Sequence, residues 1–131
     1  SYNMDNEKDG LSTKWWENGQ KRSEETFKEG KEDGLWIGWY ENGQKFEEVT
    51  YKDGKGEGLW TKWWMNGQKV WEQTYKDNKP DGLLTEWFSR NGQKGVEVTY
   101  KDGKRISEEC WDVDGNECEC TGYDILNGHC K

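Results

Sequence analysis

The sequence predicts an all-β chain: an antiparallel meander of repeated β-hairpins, forming one elongated twisted sheet with a Cys-rich C-terminal cap. Three observations predict it. Gly-Leu recurs at Gly10-Leu11, Gly34-Leu35, Gly58-Leu59 and Gly82-Leu83, at steps of 24, 24 and 24 residues. Asn-Gly-Gln-Lys recurs from Asn18, Asn42, Asn66 and Asn91, at steps of 24, 24 and 25, the extra residue lying in Phe88-Ser89-Arg90. An aromatic-Lys-acid triplet recurs at Phe27-Lys28-Glu29, Tyr51-Lys52-Asp53, Tyr75-Lys76-Asp77 and Tyr100-Lys101-Asp102. Three registers that agree define one repeating unit.

Each unit carries two turn signals. Asn-Gly suits the two positive φ angles of a type I′ hairpin turn. The second signal is Glu29-Gly30, Asp53-Gly54, Asp77-Asn78 or Asp102-Gly103. Between the turns lie runs of about six residues rich in Trp, Tyr, Thr and Val, which favour strands and leave no room for helices. The first strand of each unit covers 11–16, 35–40, 59–64 and 83–88. Leu11 and Trp15, Leu35 and Trp39, Leu59 and Trp63, and Leu83 and Trp87 share one face, because side chains alternate with period two. Trp16, Tyr40, Trp64 and Phe88 then face the other way. On the second strand Glu24, Thr26 and Lys28 and their equivalents share a face, with Phe27, Tyr51, Tyr75 and Tyr100 opposite. Identical side chains are expected to stack as ladders along a ribbon about 45–50 Å long, at about 4.8 Å per strand. Aromatic ladders are expected to take the place of a thick core, each ring burying about 150–250 Å².

Composition agrees with this reading. Charged residues make up 35% of the 131 residues, and the net charge is −8. Leu, Ile, Val and Phe number only 17, a level that by itself suggests disorder. Ten Trp and six Tyr overturn that reading. The absence of Ala and the 17 scattered Gly argue against a helical bundle. No apolar run is long enough to cross a membrane as a helix, so no membrane insertion is expected. A sequence pI of about 4.8, with Lys and acids interspersed, disfavours nucleic acid as a partner.

The unit Gly58–Lys69, Gly-Leu-Trp-Thr-Lys-Trp-Trp-Met-Asn-Gly-Gln-Lys, closed by Tyr75-Lys76-Asp77, resembles the bacterial variant of the MORN (membrane occupation and recognition nexus) repeat over about residues 10–104. The stretch Cys110–Glu117 is similar to the end of proteins in that group. Bacterial proteins of this kind are commonly labelled YwqK-type antitoxins. The resemblance implies a hairpin-repeat protein that binds other macromolecules, and it brings no catalytic residues. Three segments are expected: 1–9 as the end of a preceding repeat, 10–104 as four hairpin repeats, and 105–131 as a degenerate fifth hairpin with its cap. The chain begins in mid-repeat without an initiator Met, which reads as a trimmed or processed chain.

All four cysteines lie near the C-terminus: Cys110, Cys118, Cys120 and Cys130. Aligning Asp114-Gly115 with the Asn-Gly turns is expected to put Cys110 at the repeated Trp position and Trp111 at the following aromatic one. Two disulfides in an oxidising compartment are expected, Cys110–Cys118 and Cys120–Cys130 being preferred among three connectivities. A zinc site using these cysteines or His129 is the second reading, although Cys-x-Cys is not the usual knuckle spacing. No metal is therefore assigned, and no cofactor. Asp112–Glu117 lacks the ligand series of a calcium loop and reads as a plain turn. Clustered Cys point to a secreted, periplasmic or cell-surface location, whereas an antitoxin would be cytoplasmic.

Repeated Glu–Thr–Lys rows read as solvated cross-strand ion pairs, not as a glycosidase pair. The single His is at the end of the chain, and no Gly loop precedes a helix. No enzymatic activity is expected. Candidate binding residues are Trp36, Trp60 and Trp71, which are aromatic outside the repeat consensus, followed by Trp16, Tyr40, Trp64 and Phe88. Expected partners are another protein or copies of this chain, joined head to tail into an extracellular filament through open sheet edges. A glycan stacked on the Trp/Tyr rows is the third.

Overall fold

A computed structural model describes residues 8–89 and 91–120. The remaining parts of the expected N-terminal half-repeat and of the cap, with His129 and Cys130, lie outside the described residues. Ten strands form one antiparallel sheet in strict chain order: β1 (Gly10–Trp15), β2 (Lys21–Lys28), β3 (Lys31–Trp39), β4 (Lys45–Lys52), β5 (Lys55–Trp63), β6 (Lys69–Lys76), β7 (Lys79–Trp87), β8 (Lys94–Lys101), β9 (Lys104–Trp111) and β10 (Glu117–Cys118). Each strand pairs only with its chain neighbours, as a meander of hairpins requires.

The two turn types are the reverse of the sequence expectation. The tight turn is the acid-Gly one. Glu29 and Gly30 have φ of 51° and 81°, Asp53 and Gly54 50° and 81°, and Asp102 and Gly103 52° and 82°. Asp77 and Asn78 follow at 48° and 70°. Both central residues are left-handed, which is the type I′ geometry. At the Asn-Gly turns only the Gly has positive φ, 87° at Gly19. Gly19 N–H donates to the Trp16 carbonyl at 3.0 Å and Trp16 N–H to the Gln20 carbonyl at 2.8 Å. This is a three-residue loop with a left-handed Gly closing it. The Asn side chain explains the difference. Asn18 Oδ1 accepts the Gln20 N–H at 3.0 Å, an Asx turn that holds Asn in the right-handed region, and Asn42, Asn66 and Asn91 do the same.

Because the acid-Gly turn needs only two residues, β3, β5 and β7 start four residues earlier than the Leu positions suggest. They pass through a kink at Gly34, Gly58 and Gly82, whose φ lies between 87° and 111°. A Cβ on Gly34 would sit 3.4 Å from Thr26 Cβ, in a backbone conformation that L side chains rarely adopt. At the Asn-Gly end, Trp15 pairs with Lys21 but Lys14 pairs with Ser23, so Arg22 is an extra residue. The same bulge recurs at Phe46, Val70 and Gly95 and adds local twist to each hairpin.

The register defines the two faces. Leu11 lies opposite Thr26, Thr13 opposite Glu24, and Trp15 opposite Lys21. The Leu/Trp face and the Glu/Thr/Lys face are therefore one surface. Identical side chains do not touch along it, because a residue of the intervening strand separates them. Lys21 Nζ sits 5.8 Å from the Trp39 ring, Lys45 5.9 Å from Trp63, and Lys69 5.5 Å from Trp87. Each of these lysines also binds a carboxylate three residues on, at 2.7 Å for Glu24, 2.8 Å for Glu48 and 2.9 Å for Glu72. The row is a Trp–Lys alternation, not a ring-on-ring zipper. Leu11 is 58% exposed and Leu83 42%, so the Leu row is surface. The buried side chains are Val49, Gln73 and Val98 on one face, Thr61 and Thr85 on the other, with Phe88 and Cys110. Val49, Thr61, Gln73, Thr85 and Val98 are mid-strand residues covered by their longer neighbours, whereas Phe88 follows β7 and Cys110 lies near the end of β9.

Both edges of the ribbon are tied from unit to unit. At the Asn-Gly edge, Trp16 Nε1 donates to the Trp39 carbonyl at 3.1 Å and the Tyr40 hydroxyl to the Trp63 carbonyl at 2.8 Å. At the other edge an acid preceding each Gly-Leu accepts the N–H of the neighbouring tight turn. Asp33 takes Asp53 N–H at 3.3 Å, Glu57 takes Asp77 N–H at 2.9 Å, and Asp81 takes Asp102 N–H at 3.0 Å.

The terminal hairpin departs from the expected alignment by one residue. Asp112 N–H donates to the Asn116 carbonyl and Gly115 N–H to the Asp112 carbonyl, the bonds made by Trp16 in the first unit. Asp112 therefore takes the Trp16 position and Trp111 the Trp15 position, while Cys110 takes that of Lys14. The Asp112 carboxylate accepts the Asn116 and Asp114 amides, and these bonds hold its pKa below the ordinary value. The expected Cys110–Cys118 bridge is also corrected: the disulfide joins Cys110 to Cys120, with 5.3 Å between the Cα atoms. Cys110 and Cys118 do lie directly opposite in register. β10 ends there, however, and the bend that follows brings Cys120 to Cys110. Cys118 is itself disulfide-bonded, and the expected Cys120–Cys130 pairing gives way to Cys110–Cys120.

Two tests follow from these contacts. Asp81→Ala removes the acceptor for the Asp102 amide and is expected to lower the urea-derived unfolding free energy by about 1 kcal/mol, the usual net worth of one hydrogen bond. Glu86, between Trp71 and Val96 in the register, has its pKa raised by burial from 4.5. A raised carboxyl costs stability above its folded pKa, and the cost vanishes below the unfolded value. Glu86→Gln should therefore raise the thermal midpoint at pH 7, and the gain should disappear as the pH falls below 4.5.

Candidate functional site: an aromatic cleft on the first two units

The second unit breaks the repeat pattern at two positions that meet in space. Gly38 stands where the other units have Lys14, Lys62 and Glu86, and Phe46 stands where they have Arg22, Val70 and Gly95. A Cβ on Gly38 would lie 2.7 Å from Phe46 Cε1 and 2.9 Å from Trp36 Cη2. The missing side chain lets two rings settle directly onto the backbone. Phe46 meets Trp36 edge to face at 6.3 Å and Tyr40 at 5.5 Å, separations at which aromatic pairs attract. These rings, with Trp16 and Trp39, line an open cleft of about 540 Å³, within the size range of ligand sites.

The cleft is charged at its rim. Arg22 lies 4.9 Å over the Trp16 ring, and Lys14, Ser23 and Glu25 complete the lining. Lys21, Lys45, Lys69 and Lys94 on the opposite face each bind a glutamate, whereas Lys14 and Arg22 make no ion pair among the described residues. The nearby Glu32 has its pKa raised by burial first and by Glu25 second. Rings, two unpaired cations and carboxylates can hold a ligand by stacking, cation–π contact and hydrogen bonding.

The sequence-derived candidates separate into three groups. Trp16, Trp36 and Tyr40 line the cleft together. Trp60 and Trp71 are engaged with the protein itself: their rings are 5.5 Å apart, Trp60 is 5.4 Å from Tyr75, and Trp60 Nε1 donates to Glu47 Oε2 at 2.5 Å. Lys62 closes that network, 5.3 Å from the Trp71 ring and 3.7 Å from Glu47. Trp64 is exposed, beside exposed Met65, and Phe88 is 4% exposed and part of the core. Sequence reasoning missed Phe46, Lys14 and Arg22. The signal that finds them is departure from the repeat, at the bulge position and at Gly38. Polar grooves at the other edge, such as that lined by Lys52, Asp53, Lys55, Glu57 and Asp77, contain the acids that cap the tight turns. Among the described residues no group of three His, Cys, Asp or Glu is placed to hold a metal ion.

Gly38→Ala is expected to push Phe46 and Trp36 off the backbone. The cost should be about 1–3 kcal/mol of stability, as for other overpacked sites, with a changed Trp emission spectrum.

The family model of the MORN repeat variant matches residues 8–29 and 32–53. No curated protein matches the sequence. Solved structures that are similar include a mutant of S. aureus TarM in complex with fondaparinux, alpha-GlcNAc-glycerol and UDP, and TarM. The first is 11% identical with a TM-score of 0.45, covering 75% of this chain and 19% of that chain. The second is 13% identical with a TM-score of 0.44, covering 77% and 20%. The chain thus spans about one fifth of the length of those proteins. Residues 8–29 and 32–53 are thus similar to the MORN repeat variant, and the same hairpin geometry continues through the units that follow.

Proposed function

We propose that this protein is a non-enzymatic repeat scaffold whose aromatic cleft binds a segment of another protein. The observation that supports this reading is the cleft built by Gly38, Phe46, Trp36, Tyr40 and Trp16, with Arg22 and Lys14 at its rim. Trp, Tyr and Arg are the residues that dominate protein–protein binding energy. Two cations without an ion pair among the described residues, on a chain of net charge −8, give the cleft a complement for carboxylates. The partner segment is therefore read as an apolar side chain flanked by acids. In the antitoxin form of this reading the partner is a toxin. The Cys110–Cys120 bond supports an oxidising compartment instead, because cytosolic proteins rarely keep disulfides, and so favours a partner met outside the cytoplasm.

A second reading, assembly of copies by strand addition, draws on β9. β10 pairs only with Trp111 and Cys110. The first six residues of β9, Lys104 to Glu109, are exposed and have no strand on their outer side among the described residues. A mass by light scattering that grows with concentration would favour it.

The cleft reading is tested by co-purification. Wild type should retain one stoichiometric partner. Trp36→Ala and Arg22→Glu should each weaken binding by about 2 kcal/mol, roughly 30-fold, with far-UV spectra unchanged. Equal retention by both variants would overturn it.

A further inference from the structure

β9 departs from the strands it corresponds to. Glu108, opposite Val98, stands where the earlier units have Trp36, Trp60 and Leu84, and Glu109, opposite Glu97, where they have Ile37, Thr61 and Thr85. Arg105, opposite Tyr100, replaces Glu32, Gly56 and Pro80. The kink glycine of β3, β5 and β7 is missing, and no residue of β9 has a positive φ. The strand carries one extra residue instead, Ile106, because Tyr100 pairs with Arg105 and Thr99 with Ser107. With that bulge set aside, the outer edge is symmetric about Ser107. Arg105 and Glu108 flank it on the face of Tyr100 and Val98, and Lys104 and Glu109 on the face of Lys101 and Glu97. Cations precede the centre and carboxylates follow it. Two of these charges are badly placed within the chain. Lys104 lies directly opposite Lys101 and Glu109 directly opposite Glu97, and like charges so placed repel. Glu97 has Lys94 at 3.0 Å, whereas Lys104 and Glu109 make no ion pair among the described residues.

We infer that the outer edge of β9 is an interface with a second copy of this chain, the two β9 strands pairing antiparallel about a two-fold axis through Ser107. The inference rests on the strand-addition reading and gives it a register and an end point. In that register Lys104 of one copy faces Glu109 of the other on one side of the joined sheet, and Arg105 faces Glu108 on the other side. The two-fold repeats both contacts, so each acid of one edge meets a cation of the other. Arg105 already holds Glu108 of its own strand at 3.1 Å, and the axis turns that pair into a ring of four alternating charges. Lys104 and Glu109 gain the opposite charge that their own sheet denies them. Edge cations and a bulge ordinarily guard an edge against pairing. On β9 they act as a filter: an added strand must set acids against its cations and cations against its acids, and β9 itself, reversed, does so. The lengths match as well. The free stretch runs from the tight turn at Gly103 to Cys110, where β10 begins to pair, so each copy offers the same six residues that it receives. An isologous contact of this kind closes on itself, and the two ten-stranded sheets join edge to edge.

The test is the mass of the folded protein by sedimentation equilibrium at low salt, at concentrations up to about 1 mM. Wild type should rise from the mass of one chain to twice that value and level off. A mass that keeps rising would leave strand addition standing and overturn the two-fold register. The mass of a single chain throughout would overturn both. Arg105→Glu and Glu108→Arg alter exposed side chains, and each sets like charges against each other twice across the axis. Each variant alone should dimerise about tenfold more weakly or worse, with an unchanged far-UV spectrum. An equimolar mixture of the two should regain the wild-type affinity, because their edges are complementary to each other, and so should the chain carrying both substitutions. Single variants that dimerise as wild type does, or a mixture that stays weak, would overturn the register. The wild-type dimer should also loosen as salt is added, and a salt-independent affinity would count against the cross-chain ion pairs and overturn it too.

Discussion

A sheet one layer thick cannot hide its backbone or its rings behind a second layer, so every unit must be fastened to the next. In this chain that fastening runs along both margins of the ribbon. At one margin, side chains of Trp16, Asn18, Tyr40 and Asn42 bond to carbonyls 23 residues ahead. At the other, the acids at 33 and 57 receive amides 20 residues ahead, and Asp81 receives one 21 residues ahead. The unit length follows from these two spans.

Between the margins, the faces are covered by small exchanges instead of deep burial. Lysines that bridge a glutamate and the tryptophan of the next hairpin use one ammonium twice, and their methylene stems cover the sheet as they cross it. Each pair is worth little alone, about 0–1 kcal/mol. Their number, and the fact that each unit contacts mainly its neighbours, make stability close to a sum over adjacent units. At the proposed cleft that economy is suspended. Gly38 gives up a charged side chain, and Phe46 and Trp36 fill the vacated ground.

The hairpin architecture, the strand order and the separation of Trp16 and Phe27 from Leu11 were legible in the sequence because they depend on period and alternation, which survive without coordinates. Turn type was not legible. Asn-Gly and Asp-Gly have similar backbone preferences, and the Asn side chain bonding to Gln20 decides between them only once the chain is folded. Which side of the single sheet is covered was not legible either, because apolar periodicity does not reveal it, and the Leu row proves to be surface. The Cys110 assignment slipped by one residue, and its bridge went to Cys120 because the chain bends after β10, a feature that strand pairing does not encode. Of the cleft, Trp16, Trp36 and Tyr40 were read from aromatic placement. Phe46 and Gly38 escaped because attention to what repeats passes over what does not.

The last hairpin lacks the extra residue that every earlier Asn-Gly hairpin carries opposite its first strand: Trp111 pairs with Glu117 and Cys110 with Cys118 without a break. Its staple to Cys120 also involves no residue of the preceding units. The fifth hairpin is therefore fastened by chemistry of its own, indifferent to how many hairpins come before it. Gene duplication that lengthens or shortens such an array in blocks of one period leaves this fastening untouched, so that reach, and not shape, is what this arrangement is free to vary.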